Sequence, residues 1–173
     1  MSTISILGGG AFGTALGVAL SLAGRPVTLW SRNAQEAQTM QTNRQNSRRL
    51  PGIILPPSLT VTADLERTQT SEIALLAVPM QALSQLLATF EARAGSTLVA
   101  CCKGIDLEQG IGPTALIASH CPGSQPAVLT GPSFAADIGR QLPTALTIAC
   151  ADPETRLRLQ TELATPVLRL YTS

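Results

Sequence analysis

The sequence predicts an α/β fold, a doubly wound and mostly parallel sheet with helices on both faces. Three observations carry that prediction. Short aliphatic runs alternate with segments of helical periodicity along most of the chain. The first such run ends abruptly in glycines, at Gly8, Gly9 and Gly10, before a helical pattern begins. Hydrophobic residues make up 45% of the chain and charged residues only 13%, a balance suited to central strands buried on both sides. At 173 residues, the chain is expected to form one domain over residues 1–173.

Ile4-Ser5-Ile6-Leu7 reads as a strand, because a β-branched and aliphatic run is cut off by glycine. Ala15, Leu16, Val18, Ala19, Leu20 and Leu22 then recur at helical spacing until Gly24 stops the helix. Pro26-Val27-Thr28-Leu29-Trp30 supplies a second strand and completes a βαβ unit of about thirty residues, whose crossover should be right-handed. The polar residues 33–44 suit a surface helix with Asn33 as its N-cap. Pro51, Pro56 and Pro57 then enforce an irregular connection, followed by a short strand at 59–62. Residues 72–78 read as a buried strand, 79–90 as a helix with Pro79 near its first turn, and 97–101 as another strand. A helix near 112–119, a strand at 127–129 and a helix opening near Ser133 come next. Residues 144–149 read as a strand, Asp152-Pro153-Glu154 as an N-cap with proline at the first helical position, and 167–171 as the last strand.

Composition excludes several classes of function. Twelve basic residues against eleven acidic ones leave a net charge of +1, so no broad electrostatic footprint for nucleic acid or an anionic membrane is present. Any anionic ligand must be held locally. Residues 4–22 are apolar enough to mimic a secretory segment, but no Lys or Arg precedes them and glycines interrupt them, so they read as mature structure. No apolar run approaches the length of a membrane span, and a soluble protein is expected. Cys101, Cys102, Cys121 and Cys150 include no C-x-x-C pair, and His120 is the only histidine, so no metal site is expected. The expected state is reduced thiols in a cytoplasmic protein. Arg44, Arg48 and Arg49 form a local cluster in a polar, proline-bounded stretch and read as solvated.

Gly8, Gly10 and Gly13 form G-x-G-x-x-G directly after a strand and at the opening of a helix, the place where that pattern has a mechanism. Gly8 permits a tight turn, Gly10 lets the backbone approach a pyrophosphate, and Gly13 lets the helix pack closely on the strand. The helix N-terminus then offers free amides and partial positive charge to phosphates. This is the dinucleotide fingerprint of a Rossmann-like fold. The second strand ends in Trp30-Ser31-Arg32, without the acid that usually bonds the adenosine ribose in an NAD-specific site. Arg32 can instead pair with a 2′-phosphate, so NADPH is expected to bind at least as well as NADH.

Lys103 follows the strand at 97–101 and so should project from the carboxyl edge, where ligands of such sheets bind. It is the only lysine in the chain. The residues Gly131-Pro132-Ser133 have two readings, part of a ligand site or a turn leading into a helix N-cap.

Joined in order, these segments resemble the bacterial glycerol-3-phosphate dehydrogenases. The resemblance runs through Gly8-Gly9-Gly10-Ala11-Phe12-Gly13-Thr14-Ala15-Leu16, Val27-Thr28-Leu29-Trp30-Ser31-Arg32 and Leu50-Pro51-Gly52-Ile53-Ile54-Leu55-Pro56. It continues in Ala77-Val78-Pro79, Cys102-Lys103-Gly104-Ile105 and Leu129-Thr130-Gly131-Pro132-Ser133-Phe134-Ala135. The resemblance implies reversible hydride transfer between NAD(P)H and dihydroxyacetone phosphate, giving sn-glycerol 3-phosphate for phospholipid synthesis. It implies that Ala11, Phe12, Arg32 and Ala135 contact the cofactor, that Lys103 lies where nicotinamide and substrate meet, and that Gly131 and Ser133 help hold the substrate. Family members continue into a helical domain carrying a second lysine, the general acid/base, which these 173 residues do not contain. The expectation is therefore a chain that binds dinucleotide with little turnover, and whose uncovered apolar surface supports a weak homo-oligomer. Two rival functions share the glycine loop: another two-domain hydroxy-acid dehydrogenase, and a non-catalytic dinucleotide sensor. The first is not expected to carry the Leu50-Pro51-Gly52-Ile53 segment together with Cys102-Lys103-Gly104, and Lys103 combined with the segment Gly131 to Ala135 speaks against the second.

Overall fold

The computed structural model describes residues 1–173. Its strands are β1 Ile4–Leu7, β2 Val27–Trp30, β3 Gln45–Asn46, β4 Leu50–Ile54, β5 Thr60–Thr62, β6 Ile73–Leu76, β7 Thr97–Ala100, β8 Gln125–Thr130, β9 Thr144–Cys150 and β10 Leu168–Thr172. Its helices are α1 Ala11–Leu22, α2 Ala34–Asn43, α3 Glu66–Gln69, α4 Met80–Leu87, α5 Pro113–His120, α6 Ala135–Gly139 and α7 Pro153–Leu163. Eight strands form one sheet in the order β10-β9-β8-β7-β6-β1-β2-β5. Its pairings are parallel except that β8 meets β9 antiparallel, so β9 and β10 run against the other six.

Both faces are covered, as the composition implied. Ile4 and Ile6 of β1, and Ile73 and Leu75 of β6, enter a core shared with α1 and with Leu159 and Leu163 of α7. The alternate residues Leu7, Ala74 and Leu76 enter a second core with Leu83 and Leu87 of α4 and Leu116 and Ile117 of α5. Side chains of successive strand residues point to opposite faces, so a strand apolar at every position supplies two cores at once. Each of these leucines and isoleucines stabilises the fold by about 1.5–3 kcal/mol on burial.

The helix starts predicted from Asn33 and Asp152 are present: Asn33 Oδ1 accepts from Glu36 N at 2.9 Å, and Asp152 Oδ2 accepts from Thr155 N at 2.8 Å. The proline-bounded connection differs from expectation, since β3 and β4 form an antiparallel hairpin within it. Gln45 faces Ile54 and Asn46 faces Leu50, and the shift in register between them skips Pro51, which has no N–H to give a ladder. The arginine cluster is also not uniform. Arg48 is exposed and pairs with Glu36, and Arg49 is exposed, but Arg44 ends α2 in the left-handed region at φ 53° and turns inward. Its guanidinium donates to the carbonyls of Leu55, Pro56 and Leu59, so it is a structural tie rather than a solvated charge. No helix is long and apolar enough to cross a membrane.

Candidate functional site at the carboxyl edge of the sheet

The chain leaves β1 toward β2 on one side and reaches β6 on the other, so the winding reverses between β1 and β6. Ligands of open α/β sheets bind outside the carboxyl ends of the strands at such a reversal. Gly8, Ser31, Ala77, Cys101 and Gly131 follow β1, β2, β6, β7 and β8 at that edge.

The glycine turn is sterically fixed there. Gly8 has φ +133°, a region that L side chains rarely adopt, and a Cβ on it would stand 2.3 Å from the Ala77 carbonyl oxygen. A Cβ on Gly13 would stand 2.1 Å from the Gly8 carbonyl oxygen and 3.1 Å from Ala77 Cβ. Helix α1 therefore presses on the turn as closely as backbone allows. A Cβ on Gly10, by contrast, would meet nothing within 4 Å. Gly10 is the N-cap of α1 and gives no side-chain cap, and the first turn holds no acidic residue. The partial positive charge at the start of α1 is therefore offset by neither a capping side chain nor an acidic residue of its first turn. Bare helix N-termini of this kind are where proteins commonly bind phosphates and other anions.

A cleft of about 140 Å³ opens beside the turn, lined by Phe12, Cys101, Lys103, Leu129, Thr130, Gly131 and Ser133. Phe12 comes from the first turn of α1, Lys103 from the segment after β7, and Gly131 and Ser133 from the segment after β8. Lys103 is exposed, and its Nζ donates to the Gly131 carbonyl at 3.2 Å. The loop that carries Lys103 is held from α4: Gln81 Nε2 donates to Ile105 O at 2.9 Å, and Gln81 Oε1 accepts from Leu107 N at 3.1 Å. Burial and the neighbouring Cys102 push the Cys101 thiol far above the ordinary range, so it lines the cleft as a neutral group.

Four residues singled out from sequence, Phe12, Lys103, Gly131 and Ser133, thus line one cleft, with Gly8 and Gly10 in the turn before α1 and Ala11 and Gly13 in the first turn of α1. Arg32 lies outside that cleft, exposed after β2 and free of ion pairs. Ala135 is also outside it, as the first residue of α6. Of the two readings of Ser133, the capping one fails, because the N-cap of α6 is Phe134 and no side chain caps it.

Sequence reasoning missed three supports. Gly9 is sterically required, since a Cβ there would stand 2.8 Å from both Cβ and Oγ of Ser31. The middle glycine of Gly8-Gly9-Gly10 signalled this, but only the fold reveals its neighbour. Asn46, in the unpredicted hairpin, donates from Nδ2 to Gly9 O at 3.0 Å and to Thr14 Oγ1 at 2.8 Å. The third is Gln81, an exposed polar residue of α4 whose role nothing local announced.

A doubly wound sheet with this glycine turn at its reversal defines a protein of the Rossmann class. The family model described as NAD-dependent glycerol-3-phosphate dehydrogenase N-terminus matches residues 3–156, and the chain belongs to that family. Among similar proteins, a glycerol-3-phosphate dehydrogenase (NAD(P)+) of Roseobacter denitrificans is 52% identical over 170 residues, covering 98% of this chain and 53% of the relative. Its counterpart in Paracoccus denitrificans is also 52% identical, over 98% of this chain and 52% of its own length. The crystal structure of glycerol-3-phosphate dehydrogenase from Coxiella burnetii superposes with a TM-score of 0.92 at 27% identity, over 99% of this chain and 54% of that one. This chain therefore spans about half the length of the curated relatives it matches.

Proposed function

We propose that residues 1–173 act as one unit, the cofactor-binding half of a glycerol-3-phosphate dehydrogenase that interconverts dihydroxyacetone phosphate and sn-glycerol 3-phosphate with NAD(P)H. The observation that carries this reading is the open cradle at Gly10 beside a cleft containing the sole lysine. The residues fit a dinucleotide: the amides of the turn and first helical turn would hold its diphosphate, Arg32 the adenosine end, and Phe12, Lys103 and Ala135 the nicotinamide end. When bound, the nicotinamide supplies or accepts hydride at C4. Lys103, with Gly131 and Ser133, would hold the substrate against that face. Its ammonium is fixed by the Gly131 carbonyl and keeps two further N–H donors for substrate oxygens.

Family membership supports this substrate over another hydroxy acid, and Lys103 in the cleft favours an enzyme over a sensor. Four free thiols support a cytoplasmic setting. Leu107 and Phe134, at 78% and 76% exposure, support weak self-association. The test is calorimetric titration with NADH and NADPH, followed by sn-glycerol 3-phosphate in the presence of the oxidised cofactor. Binding of both cofactors and then of substrate is expected; failure to bind either dinucleotide would sink the reading.

A further inference from the structure

Asn46 is an amide in the hairpin, only 5% exposed, with no part in either core. A buried side-chain amide is costly unless its donors and acceptor are paired, and here they are. Nδ2 donates to Gly9 O at 3.0 Å and to Thr14 Oγ1 at 2.8 Å, while Oδ1 accepts from Arg49 N at 3.2 Å. The orientation of the amide is unambiguous, because a carbonyl can only accept and a backbone N–H can only donate. One side chain therefore joins three places: the glycine turn, the second half of the first turn of α1, and the tip of the hairpin.

The consequence lies in the next peptide group. A trans peptide is planar, and its C=O and N–H point in opposite directions. Drawing the Gly9 carbonyl toward Asn46 directs the Gly10 N–H the other way, out of the hairpin. A Cβ on Gly10 itself would find open space. Ser31 flanks the turn on another side, where a Cβ on Gly9 would stand 2.8 Å from it, so only glycine fits beside the carbonyl that Asn46 holds.

We propose that Asn46 is a positioning residue of the dinucleotide site, which by anchoring the Gly9 carbonyl aims the Gly10 N–H into the space a diphosphate fills. The inference rests on the dinucleotide reading above and adds the group that orients its cradle. Thr14 takes the second hydrogen bond and fixes the distance between turn and helix, so the Gly10 amide and the first amides of α1 converge on one point. Without Asn46, Gly9 O loses its partner and the peptide is free to rotate. The diphosphate contact is then weakened, while the adenosine end near Arg32 is untouched.

The test uses two probes on the 173-residue chain, titrated by NMR so that millimolar binding is visible: ADP-ribose, which carries the diphosphate, and adenosine 2′-monophosphate, which does not. Asn46→Leu, similar in size and uncharged, should weaken ADP-ribose about tenfold, the scale of one hydrogen bond to a charged group, and leave adenosine 2′-monophosphate unchanged. A purely structural role would weaken both in proportion. Equal losses, or no loss for either probe, overturn the inference. If Asn46→Leu does not fold, Asn46→Asp, which keeps the acceptor for Arg49 N–H, is titrated at high salt with the same expected and overturning results. Failure of the unaltered chain to bind ADP-ribose overturns the dinucleotide reading and this inference together; binding unaffected by either variant overturns the inference alone.

Discussion

Lys103 Nζ donates to the carbonyl oxygen of Gly131 at 3.2 Å, joining the segments that follow two adjacent parallel strands, β7 and β8. Gly131 has φ +154°, and a Cβ on it would stand 3.0 Å from Leu146 Cδ2 and 3.2 Å from Ala145 O, so its backbone has little freedom. An exposed lysine is thus held by a rigid carbonyl. Lys103→Ala should weaken sn-glycerol 3-phosphate binding in the presence of oxidised cofactor at least about tenfold, because a charged donor is lost. The melting temperature should stay close to that of the parent, since an exposed side chain adds little stability. Calorimetry beside thermal denaturation reads both.

Two glycines of one motif should behave in opposite ways. Gly13→Ala drives a Cβ to 2.1 Å from backbone and should destabilise the fold by about 3 kcal/mol or more in urea titration. Gly10→Ala meets no neighbour, and the residue has an ordinary φ of −72°, so stability should change by no more than about 0.5 kcal/mol. Dinucleotide affinity should nevertheless fall, because the methyl group occupies the cradle.

Arg32 stands exposed after β2, engaged in neither of the two ion pairs. Arg32→Asp should weaken NADPH about tenfold or more and leave NADH equal or tighter, because the carboxylate repels a 2′-phosphate but accepts from ribose hydroxyls. Fluorescence titration of both cofactors checks this. An equal effect on the two would remove Arg32 from the site.

The thiols predict an alkaline limit to stability. Burial raises Cys101, Cys102 and Cys121 above their ordinary value of 9.0. The folded chain therefore keeps protons that the unfolded chain releases, so this stability is complete below about pH 9 and declines as pH rises from there through the folded values. Unfolding free energy should fall between about pH 9 and about pH 11, and Cys101→Ala should reduce the fall. A profile flat over that interval would contradict the assignment.

The central layers were legible because their information is local. Ile73-Ala74-Leu75-Leu76 is apolar at every position, which marks a strand covered on both faces, and both cores receive it. The glycine turn was legible for the same reason, since its spacing encodes its sterics. The hairpin at 45–54 was not, because Pro51 argues against a strand and only the shift in register, a property of the pair, admits it. Arg44 was misread as solvated because its carbonyl partners, Leu55, Pro56 and Leu59, are assembled only by the fold. Asn46 and Ser31 escaped notice likewise: each acts on Gly9, 37 and 22 positions away in sequence, and no local pattern records such a meeting.

A crystal structure of this chain grown with NADPH tests the central claim most directly. The diphosphate oxygens should lie about 3 Å from the amides of the turn and first helical turn of α1, with the nicotinamide toward Phe12 and Lys103. A dinucleotide bound elsewhere, or a glycine turn left bare at saturating NADPH, would contradict it.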